Sequence, residues 1–169
     1  MTISMYKSSI PVFIRNLENL SNLLNKTSEH AKNKKIDESV FINARLFPDM
    51  LPLSRQVQIA SDAVKGAAAR LAGVEVPSFP DTETTFAELQ ERIAKTIKFA
   101  ESFKPEQIDG NESKAIVLKV GGNDLKFDGE SYLLNFVLPN LYFHTSVAYS
   151  ILRLNGVEIG KMDFLGKIQ

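Results

Sequence analysis

The chain offers few side chains that commonly carry out catalysis or bind metal ions. Among its 169 residues there is no cysteine, and the only histidines are His30 and His144. The composition therefore excludes a thiol nucleophile and a zinc–thiolate site, and two imidazoles are too few for a site built from imidazole alone. Motifs for a nucleophilic serine, a phosphate-binding loop or a zinc protease are also missing. Any chemistry must combine a histidine with amide, hydroxyl or carboxylate groups.

His144 is the residue best placed for a functional role. It lies in an apolar stripe of the last predicted helix, so its side chain should point inward. The other members of that stripe are Leu134, Val137, Leu141, Ala148 and Ile151. Asn140 lies one turn earlier and can face the same cavity. Two interpretations stay open: a core histidine satisfied by a hydrogen bond, or a ligand or general-base group in a pocket.

A pocket is predicted where Pro139 interrupts the last helix. A proline inside a helix removes one backbone donor and displaces the carbonyl four residues earlier, which is that of Asn135, so a kink is expected. An unpaired buried carbonyl attracts water or a ligand. We expect the pocket to combine the histidine, its helical neighbour, an amide from the second helix and one of two tyrosines. The predicted lining residues are His144, Asn140, Gln56, Tyr6 and Tyr142.

Four segments with helical periodicity must position these groups. The first has an apolar stripe from Tyr6 to Leu24 and ends near His30. Its start is either a cap at Ser8 or Ser9, or an earlier turn that is kinked at Pro11. The third opens with the capping box Thr85-x-x-Glu88 and ends before Pro105.

The second and fourth segments carry the candidate site. The second is predicted from Pro52 to Leu71, with Asp49 as its N-cap. Arg45 is expected to pair with Asp49 or to meet an anion, and Asp62, opposite the apolar stripe, should be exposed in a monomer. The fourth is predicted from Ser131 to Asn155. Because it is apolar nearly all round, we expect it to be the most buried of the four and to contribute to a homodimer.

The segments between the helices complete the predicted architecture. A Pro-containing linker from Gly73 to Thr84 is long enough to cross over the bundle, and residues 115–120 and 125–127 flank a Gly-rich turn that indicates a β-hairpin. The tail after Gly156 is expected to be irregular, with Phe164 and Leu165 packed on the bundle or on a partner. The predicted fold is all-α: one domain over residues 1–169, a four-helix bundle that is not simply up-down-up-down, with the hairpin between helices three and four.

Charge and hydropathy exclude several classes of partner. Twenty Lys and Arg residues balance twenty Asp and Glu residues. Nucleic-acid binding is disfavoured, since it normally requires a basic excess. No stretch is long and apolar enough to span a membrane, and the N-terminus lacks the features of a signal peptide. We therefore predict a cytoplasmic protein that contacts neither membrane nor nucleic acid.

The segment from Asn140 to Gly156 resembles the last-helix signature of the DinB/YfiT-like superfamily. That signature has two histidines at i and i+4, then Arg-Gly-Gln, then Leu-Arg-x-x-Gly. Aligned on Gly156, its second histidine falls on His144 and its first on Asn140, while the triplet is replaced by residues 145–147. Within the superfamily the chain is most similar to a bacterial family known as domain of unknown function nineteen-ninety-three (DUF1993). This likeness spans nearly the whole chain and includes Met5-Tyr6, Arg45-Leu46, Pro48-Asp49-Met50, Pro52-Leu53, Gln56, Gln58, residues 66–73 and Phe143-His144.

The resemblance implies a four-helix bundle and raises the question of a metal. Many members of the superfamily bind a divalent metal through three histidines, and some use it for transferase or hydrolase chemistry. The third histidine comes from the second helix, where this chain has only Gln56 and Gln58 near that depth. Amides are weak ligands for zinc, nickel or iron, so we predict no cofactor and a pocket that binds a small ligand or partner. The alternative is a metal-dependent (thiol-)transferase or hydrolase that uses His144 as ligand or base.

Overall fold

The computed structural model describes residues 3–167, and most of them are helical. The elements in chain order are α1 (Met5–Lys34), α2 (Glu38–Ile42), α3 (Leu53–Ala72), α4 (Phe86–Glu101), α5 (Pro105–Ile108), β1 (Ile116–Val120), β2 (Asn123–Phe127), α6 (Gly129–Ser131), a π-helical segment (Tyr132–Val137), α7 (Leu138–Leu154) and α8 (Lys161–Leu165). The predicted all-α bundle with a hairpin before its last long helix is therefore confirmed.

The four long helices run up-down-down-up. Ser21 of α1 bonds Gln90 of α4, while Ser4, before α1, bonds Asp109, after α4, so these two helices are antiparallel. The side chain of Gln58 bonds Glu83, and the carbonyl of Leu71 accepts from Asn111. The later residue of α3, Leu71, thus contacts the later residue of the α4 region, Asn111. Helices α3 and α4 therefore run in the same direction. The linker between them must therefore return along the length of the bundle, as its composition predicted.

Two contacts show that α7 is antiparallel to α3. His144 lies against Gln56, near the start of α3. Tyr132 comes twelve residues before His144, and it bonds Arg70, which comes fourteen residues after Gln56. Helix α3 packs between α4 and α7, and α1 packs against both of those helices. The second turn of α7, which contains His144, thus lies beside the first turn of α3.

The start of α1 follows the second predicted alternative, in which an earlier turn precedes Pro11. The helix begins at Met5, and Ser4 is its N-cap, accepting a hydrogen bond from the backbone N–H of Lys7. Pro11 lies inside the helix. Neither alternative cap is used, because Ser8 and Ser9 both turn their hydroxyls back onto carbonyls one turn earlier. The helix also continues past His30 to Lys34.

The start of α3 corrects two more expectations. Pro52 takes the N-cap position, with no side-chain cap, so Asp49 does not cap the helix. Arg45 donates to the carbonyl of Met50 at 2.5 Å and makes no ion pair with Asp49. A backbone bond from Leu53 to Ala44 closes the intervening loop. The capping box at Thr85, in contrast, is present as predicted.

The proline in the last helix is accommodated by a π-helical segment. Residues 132–137 form the wider turn, and Leu138 donates to the carbonyl of Leu133, five residues earlier. Pro139 follows as the second residue of α7, so the wider turn comes directly before the residue that lacks an N–H. The predicted disturbance at Pro139 is thus a change in hydrogen-bonding register that begins at Tyr132, before the proline is reached.

Burial along the chain differs from the prediction in two helices. Helix α3 is the more deeply buried, since most of its residues are inaccessible to solvent. Helix α7 leaves Tyr142 and Phe143 40% and 54% exposed, so it is not the most buried of the four. The tail is also more ordered than expected, because α8 packs on α1, with Phe164 edge-on to Tyr149. No helix among residues 3–167 is both long and apolar enough to cross a bilayer.

Candidate functional site

His144 and Gln56 are joined directly. The Nδ1 atom of His144 lies 2.7 Å from Oε1 of Gln56, and Nε2 of Gln56 donates to the carbonyl oxygen of Leu51 at 2.9 Å. Gln56 lies one turn into α3 and is only 2% exposed, whereas His144, on α7, is half-buried. The two inward stripes read from the sequence therefore meet, and the histidine is fixed by a buried amide.

The surroundings of His144 favour its neutral form. Burial lowers the pKa of the imidazole below its ordinary value, because the charged form loses hydration that no carboxylate replaces. The ring of Phe143 is perpendicular to the imidazole, with 5.2 Å between the two ring centroids. A neutral imidazole has one donor and one acceptor nitrogen, so it suits hydrogen bonding to a ligand or general-base chemistry better than anion binding.

Polar atoms beside this pair remain open to solvent. Within residues 3–167, the buried side-chain polar atoms that lack a partner are Ser61 Oγ and Arg92 Nε. In the same part of the chain neither Nε2 of His144 nor the amide of Asn140 has a hydrogen-bond partner, so both must reach the surface. Asn140 is half-buried and lies four residues before His144, on the same helix face. Together they present a small set of unengaged polar atoms.

The two predicted tyrosines are not brought to this site. The backbone N–H of Tyr6 binds Asp109, whose neighbour Asn111 binds the carbonyl of Leu71 at the C-terminal end of α3. That end is roughly 22 Å from Gln56 at about 1.5 Å of rise per residue. Tyr142 is two residues from His144, which places it near the opposite face of α7. Asn140 and Gln56 therefore lie beside His144 as predicted, whereas Tyr6 and Tyr142 do not.

Two contributors to the site were not predicted. The carbonyl of Leu51 orients Gln56, but a backbone acceptor in a loop has no signal in the sequence. The ring of Phe143 flanks the histidine, and its position next to His144 in the chain was the only available hint. Both contribute shape and orientation rather than a reactive group.

A long groove elsewhere on the surface contains none of the predicted site residues. It has a volume of about 1750 Å³ and follows α1 from Lys7 to Glu29, with α4 and α8 on its sides. Its lining mixes both charges with several side-chain amides, among them Asn22, Asn25 and Gln90. Its size alone gives it no chemistry, so His144 remains the candidate site.

A second polar cluster surrounds Arg92, which is 3% exposed. Its guanidinium contacts one carboxylate oxygen each of Asp62, Asp81 and Glu83 at 2.9 Å and donates to the carbonyl of Pro80 at 3.1 Å. Asp62 also pairs with Lys65 at 2.8 Å, and its side chain, predicted to be exposed in a monomer, is 40% exposed. Arg55 pairs with Asp81 as well, so three cations balance three carboxylates in this cluster. The cluster fastens the linker to α3 and α4.

The whole chain is similar to known proteins. The family model described as domain of unknown function (DUF1993) matches residues 5–165. The chain belongs to the DUF1993 family. A crystal structure of a DinB family member protein from Shewanella denitrificans shares 39% sequence identity with this DUF1993 protein, with a TM-score of 0.88, covering 96% of this chain and 92% of that one. No curated protein matches the chain.

The residues of this DUF1993 protein do not fit the three-histidine metal site of the superfamily. Of the two candidate glutamines in the second superfamily helix, Gln56 lies against His144, while Gln58 binds Arg55 and Glu83. The side chains that the structure places at His144 from α3 and from one turn earlier in α7 are the amides of Gln56 and Asn140, and amides are weak ligands for zinc, nickel or iron. Between residues 3 and 167, no three His, Asp or Glu side chains are grouped so as to hold a metal ion.

Proposed function

We propose that this DUF1993 protein is a metal-free DinB-like bundle that binds a small ligand at His144. The observation that carries the proposal is the 2.7 Å contact between His144 Nδ1 and Gln56 Oε1. At a three-histidine site, the residue on the second superfamily helix would be a metal ligand. In this chain the same helix offers an amide whose oxygen is engaged by the imidazole and whose nitrogen is engaged by Leu51.

The open polar atoms define what such a ligand offers. The Nε2 atom of His144 is a hydrogen-bond acceptor or donor, and the Asn140 amide is both. No charged side chain forms a hydrogen bond or ion pair with either of them in the described part of the chain, so a neutral ligand with hydroxyl or amide groups is the best match. The competing hypothesis, a metal-dependent transferase or hydrolase, requires an ion at His144 and is separated from this one by metal content.

Binding is tested by an NMR screen of the ¹⁵N-labelled protein against neutral alcohols, phenols and amides. We expect at least one class of probe to shift the resonances of His144 and Asn140 at millimolar concentration, and this response to be lost in His144→Phe. The variant His30→Gln, at the other histidine, should respond like the wild type. Probes that leave both residues unshifted, or that shift the His144→Phe variant equally, would contradict the proposal.

We further propose that the protein is a homodimer whose interface includes the exposed face of α7. Residues 131–152 contain no Asp, Glu, Lys or Arg, although the chain as a whole is 24% charged. That helix exposes aromatic side chains at Tyr142 and Phe143. Depletion of charge with enrichment of aromatic residues is typical of the centre of a protein–protein interface.

Light scattering at micromolar concentration is expected to give the mass of two chains. The substitution Phe143→Lys should shift the mass to that of one chain, because it buries an unpaired charge at the interface. Val40→Lys, at a residue of α2 that is equally exposed (54%), is the matched control and should leave the dimer intact. A wild-type protein with the mass of one chain would refute the dimer.

A further inference from the structure

Gln56 decides which nitrogen of His144 carries a proton. An amide side chain has an NH₂ end that donates and an oxygen end that accepts. The carbonyl of Leu51 can only accept, so the NH₂ end of Gln56 must be the end that lies 2.9 Å from it. The oxygen end then faces His144, and because that oxygen can only accept, the Nδ1 atom 2.7 Å away must donate.

The consequence for the imidazole follows from its proton count. A neutral imidazole has a single N–H, so a proton on Nδ1 leaves a lone pair on Nε2. No residue between 3 and 167 donates a hydrogen bond to that Nε2, which reaches the surface beside Asn140. The histidine therefore presents an acceptor, and not a donor, at the open side of the site.

We propose that Gln56 is a positioning residue that holds His144 as the Nδ1–H tautomer, so that Nε2 accepts a hydrogen bond from a ligand with an O–H or N–H group. This inference deepens the proposed function and rests on it for the ligand. The tautomer is a property of the ligand-free protein. The tautomer and the binding of a ligand can therefore be tested, and refuted, independently. The ligand is expected to be a hydrogen-bond donor such as an alcohol, a phenol or an amide. The lone pair of Nε2 can also accept a proton from such a group as a general base.

Long-range ¹H–¹⁵N NMR of histidine-labelled protein measures the tautomer directly. His30 is the only other histidine and is the internal reference. At a pH where His144 is neutral, we expect Nδ1 to show the shift of a protonated nitrogen and Nε2 that of a bare one. A hydrogen bond of ordinary net strength favours this tautomer roughly fivefold. In Gln56→Met that preference should disappear, while the signals of His30 stay unchanged.

A second variant tests whether the two side chains are in contact in solution. In Gln56→Glu a carboxylate faces Nδ1, so the NMR titration midpoint of His144 should rise by at least about one pH unit. A side chain away from His144 would leave the midpoint nearly unchanged, and a residue that only fills space would leave the tautomer ratio unchanged in Gln56→Met. The inference is overturned if the wild-type protein carries its proton on Nε2, or if Gln56→Met leaves the ratio unchanged. The first outcome needs no variant and so does not depend on variant folding.

Failure of the ligand proposal has a different signature. If the tautomer is Nδ1–H but no alcohol, phenol or amide shifts Nε2 of His144, then Gln56 positions the ring and the site does not bind this class. If probes bind and His144 Nε2 carries the proton, the ligand proposal stands and the positioning role falls.

Discussion

Replacing Arg92 with methionine is expected to destabilise the protein by about 3–5 kcal/mol, the usual cost of removing one partner from a buried ion pair. The guanidinium is the shared partner of Asp62, Asp81 and Glu83, and it also holds the carbonyl of Pro80. Without it, the carbonyl of Pro80 loses this donor and Glu83, the most buried of the three carboxylates, keeps only the amide of Gln58. Asp62 and Asp81 keep their pairs with Lys65 and Arg55, so the loss falls mainly on Glu83 and on the linker carbonyl. Urea unfolding followed by circular dichroism measures the loss.

The exposed Lys98 of the same helix is the matched control. Lys98→Met should change the free energy of unfolding by less than about 0.5 kcal/mol, as most surface substitutions do. A loss below about 1 kcal/mol in Arg92→Met would mean that the cluster is solvated in solution and does not fasten the linker.

The same cluster predicts the direction of acid sensitivity. Burial raises the pKa of Asp81 and of Glu83, but hydrogen bonds and charge from Arg55, Arg92 and Gln58 outweigh it and hold each pKa below its usual range. The folded protein thus binds these protons less readily than the unfolded chain. Their stabilisation is complete above the unfolded pKa values of about 4 and is lost as pH falls through the lower folded values. This loss should be smaller in Arg92→Met.

Restoring histidine at two positions is expected to create a metal site. In the double variant Gln56→His/Asn140→His, three imidazoles would converge, two from one face of α7 and one from α3. Three histidines with an open fourth position form a common zinc site. We expect zinc to bind at least about 100-fold more tightly than to the wild-type protein, since the loss of even outer-shell partners changes metal affinity by 10–100-fold. Isothermal titration calorimetry measures the difference.

Gln58 supplies the control for this experiment. It lies two residues from Gln56 but binds Arg55 and Glu83, away from His144. The variant Gln58→His/Asn140→His adds the same two imidazoles and should gain no tight site. Equal zinc affinity in the two double variants would show that Gln56 does not occupy the superfamily ligand position.

The helices and their inward faces were predictable because periodicity and caps are local. The stripe that contains His144 and the stripe edged by Gln56 each follow from residues three and four apart, and the capping box at Thr85 follows from adjacent residues. The likeness to the DinB superfamily then predicted that the two stripes face each other, although Gln56 and His144 are 88 positions apart in the sequence. The direct hydrogen bond between them is the point where both kinds of reasoning agree.

The features that the sequence did not predict depend on contacts between distant or backbone groups. Arg92 follows Leu89 by one turn and looks like a charge at the edge of a stripe, whereas its partners lie on the linker and on α3. The Leu51 carbonyl has no side chain to mark it. Tyr6 was predicted on the correct face of its helix but at the wrong end of the bundle. Periodicity shows which face of a helix a residue occupies, but not its position along the bundle axis relative to residues of other helices.

The metal content of the wild-type protein tests the central claim most directly. The protein is purified without chelator and without added metal, and zinc, nickel and iron are measured by elemental analysis beside His144→Ala. The hydrogen bond between Gln56 and His144 predicts far less than one equivalent of any of the three, with no difference between the two proteins. One equivalent of metal in the wild type that is lost in His144→Ala would contradict the account and establish the metal-dependent alternative.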